Sequence, residues 1–418
     1  MATSASSTIL FPPSQTTVRV RMVDTTALMT VRAESFVKPV QKPGHELLNL
    51  TCVAFLIEHT PSRRRVMFDL GVRKDFWNYA AVLQKRIGSV IPSLRVDRDV
   101  PEILAEKDIA LDSNFAETPA SVIWSHYHWD HIGDMSLFPS STELVVGPGF
   151  KAAPLLLPGF PEKLDSPVRT SDFEGRELRE IDFKSSSLRI GGYGAHDFFG
   201  DGSFYLLDTP GHCIGHMCGL ARTTAGNDST FLLLGGDICH FVGDIRPNPT
   251  YPIPDPVPAD VLDRDSGSFP TPCPCSLFTD CHPAISQGIQ SGDPKQTPFY
   301  KVSTLGSSAY VDPPTAQASV DKLINFEQSP AVMVCIAHDE ALLKFLPTLN
   351  RDPGSDLNNW KSAGWKEKCR WDWLNELPRN GQPGRRPIVE GFWRDGKPWD
   401  RSKMGEDGER ETEEAKKK

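Results

Sequence analysis

The sequence predicts a mixed α/β body in which strand ends carry the functional groups. Three observations predict it. Apolar runs of strand length recur along the chain, segments with helical spacing lie between them, and the runs near residues 124, 208, 234 and 336 each lead into a histidine or an aspartate. Glycine (32) and proline (36) are plentiful among the 418 residues, which fits many loops around such a body.

Residues 1 to about 16 show no periodicity and read as loose. "TVRVRMV" (17–23) alternates like a strand. "LTCVAFLIEHTPSRRRVMFDLG" (50–71) reads as two strands around a polar turn and delivers Asp69 at its end. "DFWNYAAVLQKRI" (75–87) has helical spacing. "VPEILAEKDI" (100–109) predicts a short helix with Pro101 in its first turn. "ASVIW" (120–124) reads as a buried strand. "SFYLLDTPGH" (203–212), "TFLLLGGDICH" (230–240) and "AVMVCIAHDE" (331–340) repeat the pattern and reach His212, Asp237 and His338. Sites in α/β proteins are commonly built at such strand ends, where a rigid sheet fixes the geometry.

Residues 247–258 contain six prolines, so they form neither a central strand nor a helix interior and read as an ordered covering loop. Six of the nine tryptophans follow residue 350. The expected organisation is therefore an N-terminal segment (1–44), a main domain (45–345), a Trp-rich C-terminal extension packed on it (346–402), and a charged disordered tail (403–418).

The net charge of -9 argues against a nucleic-acid partner, which would want a clustered basic surface. No apolar run is long enough to span a bilayer, so no membrane partner is expected. The N-terminus lacks the basic start of a secretory signal. Nine scattered cysteines then read as reduced thiols in a cytoplasmic protein whose partner is a small molecule.

"SHYHWDHIGD" (125–134) places three histidines and two aspartates in ten positions. In an extended loop, residues i and i+2 point the same way, so His126 and His128 can grip one ion, while Asp130 and His131 reach a second. Imidazole nitrogens with carboxylates suit Zn²⁺ or a similar first-row ion. Three histidines and one aspartate cannot close two sites. His212, Asp237 and His338, at the other strand ends, can supply the rest. A lone histidine, or a pair at i and i+2, would mean little. The H-x-H-x-D-H run directly after a buried strand, followed in order by "TPGH", "GGD" and "AHD", is far more specific.

With these motifs the chain resembles the metallo-β-lactamase superfamily, over about residues 45 to 345. The resemblance implies a four-layer αββα sandwich with two metal ions, zinc or another divalent first-row ion, at one edge of the two sheets. It implies that His126, His128 and His212 hold one ion, that Asp130, His131 and His338 hold the other, and that Asp237 bridges them. It implies that Asp69 hydrogen-bonds within the site, and that in "TPGHCIGH" His212 is the ligand and His216 a supporting residue. Two close ions can lower the pKa of a shared water, so the expected chemistry is hydrolysis by an activated hydroxide, oriented by Asp130, with no serine or cysteine nucleophile.

The layout looks most like the lactonases of that superfamily, which implies opening of a small lactone or related ester. Lactams and thioesters are alternatives, because the same attack serves all of these carbonyls. A nuclease or phosphodiesterase of this fold would need a basic groove, and a non-catalytic relative would have lost ligands. Lactonases of this kind commonly carry a tyrosine three residues after the bridging aspartate. This chain has His240 there, which could still donate a hydrogen bond or a proton. "GYGAHDFFGDG" (192–202) offers Phe198 and Phe199 as contacts for an apolar substrate, with a plain hairpin loop as the alternative. Cys273, Cys275, Cys281 and His282 sit too tightly spaced for the usual structural zinc site, and none is expected.

Overall fold

Strand-forming residues fill the first part of the chain, and they pair mainly with one another. The structure is a computed structural model that describes residues 9–109, 111, 118–263, 269–286, 288 and 292–404. Its strands are β1 (Val18–Arg32), β2 (Val37–Lys38), β3 (Leu47–His59), β4 (Arg65–Phe68), β5 (Ser93–Val96), β6 (Ser121–Ile123), β7 (Glu143–Val146), β8 (Leu178–Glu180) and β9 (Arg189–Ile190). They continue with β10 (Tyr193–Asp197), β11 (Phe204–Asp208), β12 (Met217–Arg222), β13 (Phe231–Leu234), β14 (Lys301–Val302), β15 (Val332–Cys335), β16 (Phe392–Arg394) and β17 (Lys397–Trp399). The helices are α1 (Ala81–Val90), α2 (Val100–Glu106), α3 (Trp129–Ile132), α4 (Ser276–Thr279), α5 (Pro283–Ser286), α6 (Pro313–Gln328), α7 (Glu340–Phe345) and α8 (Trp365–Cys369).

Two large sheets result. One has nine strands in the order β17-β16-β5-β1-β3-β4-β6-β7-β8, and the other six in the order β15-β13-β12-β11-β10-β9. The period of two along each strand decides how they pack. Phe68 of β4, Ile123 of β6 and Val145 of β7 share a buried cluster with Leu206 of β11, Leu232 of β13 and Cys335 of β15. Their chain neighbours Met67, Val122, Leu144, Leu207, Leu233 and Val334 belong to a second cluster, which includes Leu83 and Ile87 of α1, Ile103 and Leu104 of α2, and Val320 and Leu323 of α6. The result is an α/β sandwich, two sheets face to face with helices outside. The helices start where their sequences say. Asp99 caps α2 in a capping box with Glu102, and Asp312 caps α6 ahead of Pro313.

Several boundaries differ from those read in the sequence. Strand β1 runs on past residue 23 to Arg32. Asp24 pairs with Val53 and Leu28 with Thr51, so β1 accommodates two extra residues as a bulge. It lies between β5 and β3, so no structural break separates residues 18–44 from the main body. Residues 9–16 are tied down rather than loose. Phe11 stacks on Phe231 with ring centroids 4.2 Å apart, and the Pro12 carbonyl accepts from Arg222 Nη2 at 2.5 Å. The Trp-rich segment is integral to the body, since Trp360 and Leu357 are buried in the core between the sheets and β16 joins β5. The proline-rich loop, 247–258, contains no regular helix or strand, only an isolated bridge from Val257 to Cys273. The tail from residue 405 onward lies outside the described residues, as do residues 1–8.

Candidate metal centre

β6 ends at Ile123, and the chain turns through Ser125 to present His126 and His128 before α3 carries Asp130 and His131. His212 follows β11, Asp237 follows β13 and His338 follows β15, so both sheets deliver side chains to one edge. The β11–β12 connection sits close to its neighbours. A Cβ on Gly211, which has φ +121°, would lie 2.1 Å from the Ala316 nitrogen of α6, so only glycine fits there.

The side chains meet around Asp237. Its Oδ2 lies 3.4 Å from His126 Nε2, 3.3 Å from His212 Nε2 and 3.0 Å from His240 Nε2. Its Oδ1 lies 3.0 Å from both His131 Nε2 and His338 Nε2. His212 Nε2 is in turn 2.8 Å from His128 Nδ1 and 3.2 Å from His126 Nε2. Asp130 Oδ2 stands 3.6 Å from His338 Nε2. The six residues expected to hold metal beside Asp237 thus fall into two groups: His126 and His212 lie on Oδ2 with His128 against His212, and His131 and His338 lie on Oδ1 with Asp130 against His338, while His240 shares Oδ2.

Outer contacts fix which nitrogen faces the centre. His131 Nδ1 donates to Asp69 Oδ2 at 2.8 Å, while Asp69 Oδ1 accepts from the Ser125 N–H at 2.7 Å. Asp69 holds φ at +61°, a strained value for a non-glycine residue. His338 Nδ1 donates to the Thr51 carbonyl at 2.7 Å, and Ser125 Oγ is 3.0 Å from His126 Nδ1. His216 spends both nitrogens on the backbone. Its Nδ1 donates to the Thr209 carbonyl at 3.0 Å, and its Nε2 accepts from the Asp237 N–H at 3.0 Å, so it pegs Asp237 and does not face the centre.

The donor set fits a divalent metal. His131 Nε2, His338 Nε2 and Asp237 Oδ1 are buried with no hydrogen-bond partner although they converge, as ligand atoms around a shared cation would. Within the group His126, His128, His212 and Cys213, and within the group Asp130, His131, Asp237 and His338, donor atoms lie within 4.8 Å of one another. Burial pulls the pKa values of His126 and His128 well below the ordinary imidazole value and that of His212 to about 4, which favours the neutral ring that ligates. Burial also opposes charge on His131 and His338, but Asp237 and further partners outweigh it and raise both well above the ordinary value. A cation between these groups would displace those protons, so metal uptake is linked to proton release. Asp237 itself is held well below the carboxylate range, because the imidazoles around it, His131 foremost, overcome its burial.

A cavity of about 200 Å³ opens onto the centre. His128, Asp130, Asp237 and His240 line its polar end, and Met29, Leu50, Leu83 and Ile87 are among its apolar walls. His240 faces the centre through Nε2, and its Nδ1 is 2.9 Å from the Tyr310 hydroxyl. Phe198 and Phe199 are not in this wall, which corrects the substrate contacts expected of them. They follow β10 and sit at the start of β11, whereas His212 follows its end. Phe198 packs in the core between the sheets, and Phe199 stacks on His59 at 4.4 Å. Among the described residues, Cys273, Cys275, Cys281 and His282 form no metal-capable group. Two contributors carry no clear sequence signal. Cys213 reaches the first histidine group, and Tyr310, from an irregular stretch, orients His240.

A family model of the metallo-beta-lactamase superfamily matches residues 50–338. The chain belongs to that superfamily and is a hydrolase of it. It is 41% identical over 388 residues to the gamma-lactamase FDB1 of Fusarium pseudograminearum (strain CS3096), covering 90% of this chain and 88% of that protein. It is 38% identical over 367 residues to the metallo-hydrolase mfmC of Annulohypoxylon moriforme, with 88% and 89% covered. A crystal structure of a B. thuringiensis AiiA mutant with N-decanoyl-L-homoserine bound at its active site aligns with 81% of this chain and 98% of its own, at 17% identity and a TM-score of 0.49. No helix among the described residues is long and apolar enough to cross a membrane.

Proposed function

We propose that this superfamily member opens the ring of a small γ-lactam by hydrolysis, using two divalent ions, zinc by donor chemistry, held on either side of Asp237. The observation that carries this reading is the division of the ligand set between the two oxygens of Asp237. His126, His128 and His212 would hold one ion and Asp130, His131 and His338 the other, with Asp237 shared. When bound, such a pair supplies an acidified water and a positive charge for the carbonyl oxygen.

The remaining chemistry belongs to the chain. Asp130, buried and lining the cavity, is placed to orient the attacking water. A lactam is a more demanding substrate than a lactone, because its nitrogen must gain a proton as the C–N bond breaks. The attacking water loses a proton that balances this one, and His240, lining the cavity, can relay it to the nitrogen. With the Tyr310 hydroxyl donating to Nδ1, the ring carries its hydrogen on Nε2, facing Asp237 Oδ2 and the cavity. The printed name of the 41% identical relative, a gamma-lactamase, supports the lactam over the lactone as the first substrate to try. The lactone remains the second reading, since the same attack opens it with less need of an acid.

A hydrolysis panel on metal-loaded protein tests this. It compares γ-lactams, γ- and δ-lactones, acyl homoserine lactones, a thioester and a phosphodiester. Turnover of a γ-lactam supports the reading. Turnover of the phosphodiester alone, or of no cyclic substrate, overturns it.

A further inference from the structure

Helix α1 forms one wall of the cavity, and its sequence is unusual there. Val82, Arg86 and Val90 recur every four residues, so they stack along one side of the helix, and all three line the cavity. Val82 is 37% and Val90 47% exposed, and Leu155 on the same cavity is 43% exposed. Large apolar side chains gathered at an opening mark a place where apolar material binds. Arg86 interrupts this stripe between the two valines. Arg32, at the end of β1, lines the same cavity and is exposed.

Among the described residues, neither guanidinium has a carboxylate within ion-pair distance. Asp165 pairs with Lys163 at 3.6 Å, and Asp130 and Asp237 belong to the metal centre. The chain as a whole carries a net charge of -9, so two uncommitted cations at one opening stand out against it. A planar guanidinium matches a carboxylate in shape and charge, and an opening of this sign draws anions in.

We propose that the substrate is an apolar ring compound bearing a carboxylate on the side away from the ring carbonyl, and that Arg86 and Arg32 receive this carboxylate at the cavity mouth. The proposal rests on the ring-opening reading above and names the class of molecule that reaction acts on. The cavity is lined by His128, Asp130, Asp237 and His240 at the metal centre and by the exposed Arg86 and Arg32, so a ring held at the centre can carry a carboxylate on its chain towards the two guanidiniums.

The test separates binding from turnover. Two ring analogues that cannot be hydrolysed are used, a pentyl-substituted cyclopentanone and the same ring with a carboxypentyl chain. Calorimetry on metal-loaded protein gives the ratio of their affinities. The carboxylated compound should bind about fivefold tighter, an advantage of the size that exposed ion pairs give. It should shrink as salt is raised, because salt screens such pairs. Arg86→Gln and Arg32→Gln should each reduce the ratio, the double variant should bring it close to one, and Arg86→Lys should keep part of it. A ratio near one in the unaltered protein, a ratio unchanged in the double variant, or no binding of the carboxylated compound at millimolar concentration overturns the proposal. If the ratio behaves as expected while no lactam or lactone is opened, the ring-opening reading fails and the anion-binding mouth stands.

Discussion

Tyr310→Phe is the sharpest probe of the acid role assigned to His240. It deletes a hydroxyl 2.9 Å from His240 Nδ1 and keeps the aromatic ring, whose centroid lies 5.3 Å from that of His240. A buried ring nitrogen left without its partner costs about 1–3 kcal/mol. If that cost falls on the transition state, kcat drops about 5- to 150-fold. Removing the donor itself should cost more, about 10²–10⁴ in kcat for His240→Ala. His240→Phe should fail similarly, because it keeps volume and lacks the proton, and His240→Tyr should recover part of the rate. The assay is steady-state hydrolysis of the best substrate, with metal content measured on each variant. The reasoning is refuted if His240→Phe retains kcat and changes only KM, which would make His240 a wall residue. It is equally refuted if the His240 variants lose metal, since the contact of Nε2 with Asp237 would then report a ligand.

Three further outcomes follow. Asp237→Ala should weaken both halves of the centre and abolish turnover with the fold intact, and activity within about tenfold of the original, or ~1.4 kcal/mol of barrier, would remove the bridging assignment. Lys366 is buried and donates to the carbonyls of Glu327, Ser329 and Val332 at 2.6, 2.8 and 2.7 Å, so Lys366→Met, which strands all three acceptors, should lower stability in urea by about 3–5 kcal/mol, and a loss under ~1 kcal/mol would contradict it. His45 is driven to a pKa of about 4 by burial, against about 6.5 in the unfolded chain. Between these values the unfolded chain holds a proton that the folded one lacks, so stability falls as pH drops from 6.5 towards 4, by about 3 kcal/mol in all for this group. His45→Gln should flatten that slope by about one proton in acid denaturation series.

Much of the site was legible in the sequence because its residues sit at strand ends, where periodicity stops and chemistry starts. The strand runs into His212, Asp237 and His338, and the H-x-H-x-D-H turn, each combine a local pattern with a residue type that the interior would otherwise reject. Strand β1 was legible only to residue 23. The alternation stops after Asp24, yet Thr25 and Thr26 lie in a bulge inside a continuing strand, with Thr26 at φ +58° and its hydroxyl accepting from the Asp97 and Arg98 N–H groups. That hid Met29 and Val31, which line the cavity. Tyr310 was out of reach for a different reason. It meets His240 across 70 residues, and no local pattern encodes such a contact. Phe198 and Phe199 misled because a glycine-rich aromatic loop looks alike at either end of a sheet, and only the topology shows which end carries the histidine and aspartate cluster.

The central claim is that catalysis needs an ion on each side of Asp237, and stoichiometric metal titration tests it most directly. Protein stripped with a chelator is titrated with zinc while γ-lactam hydrolysis and bound metal are followed together. The account predicts that activity reaches its plateau at two equivalents per chain and that protons are released as metal enters. A plateau at one equivalent with no second ion taken up, or full activity in the metal-free protein, would contradict it.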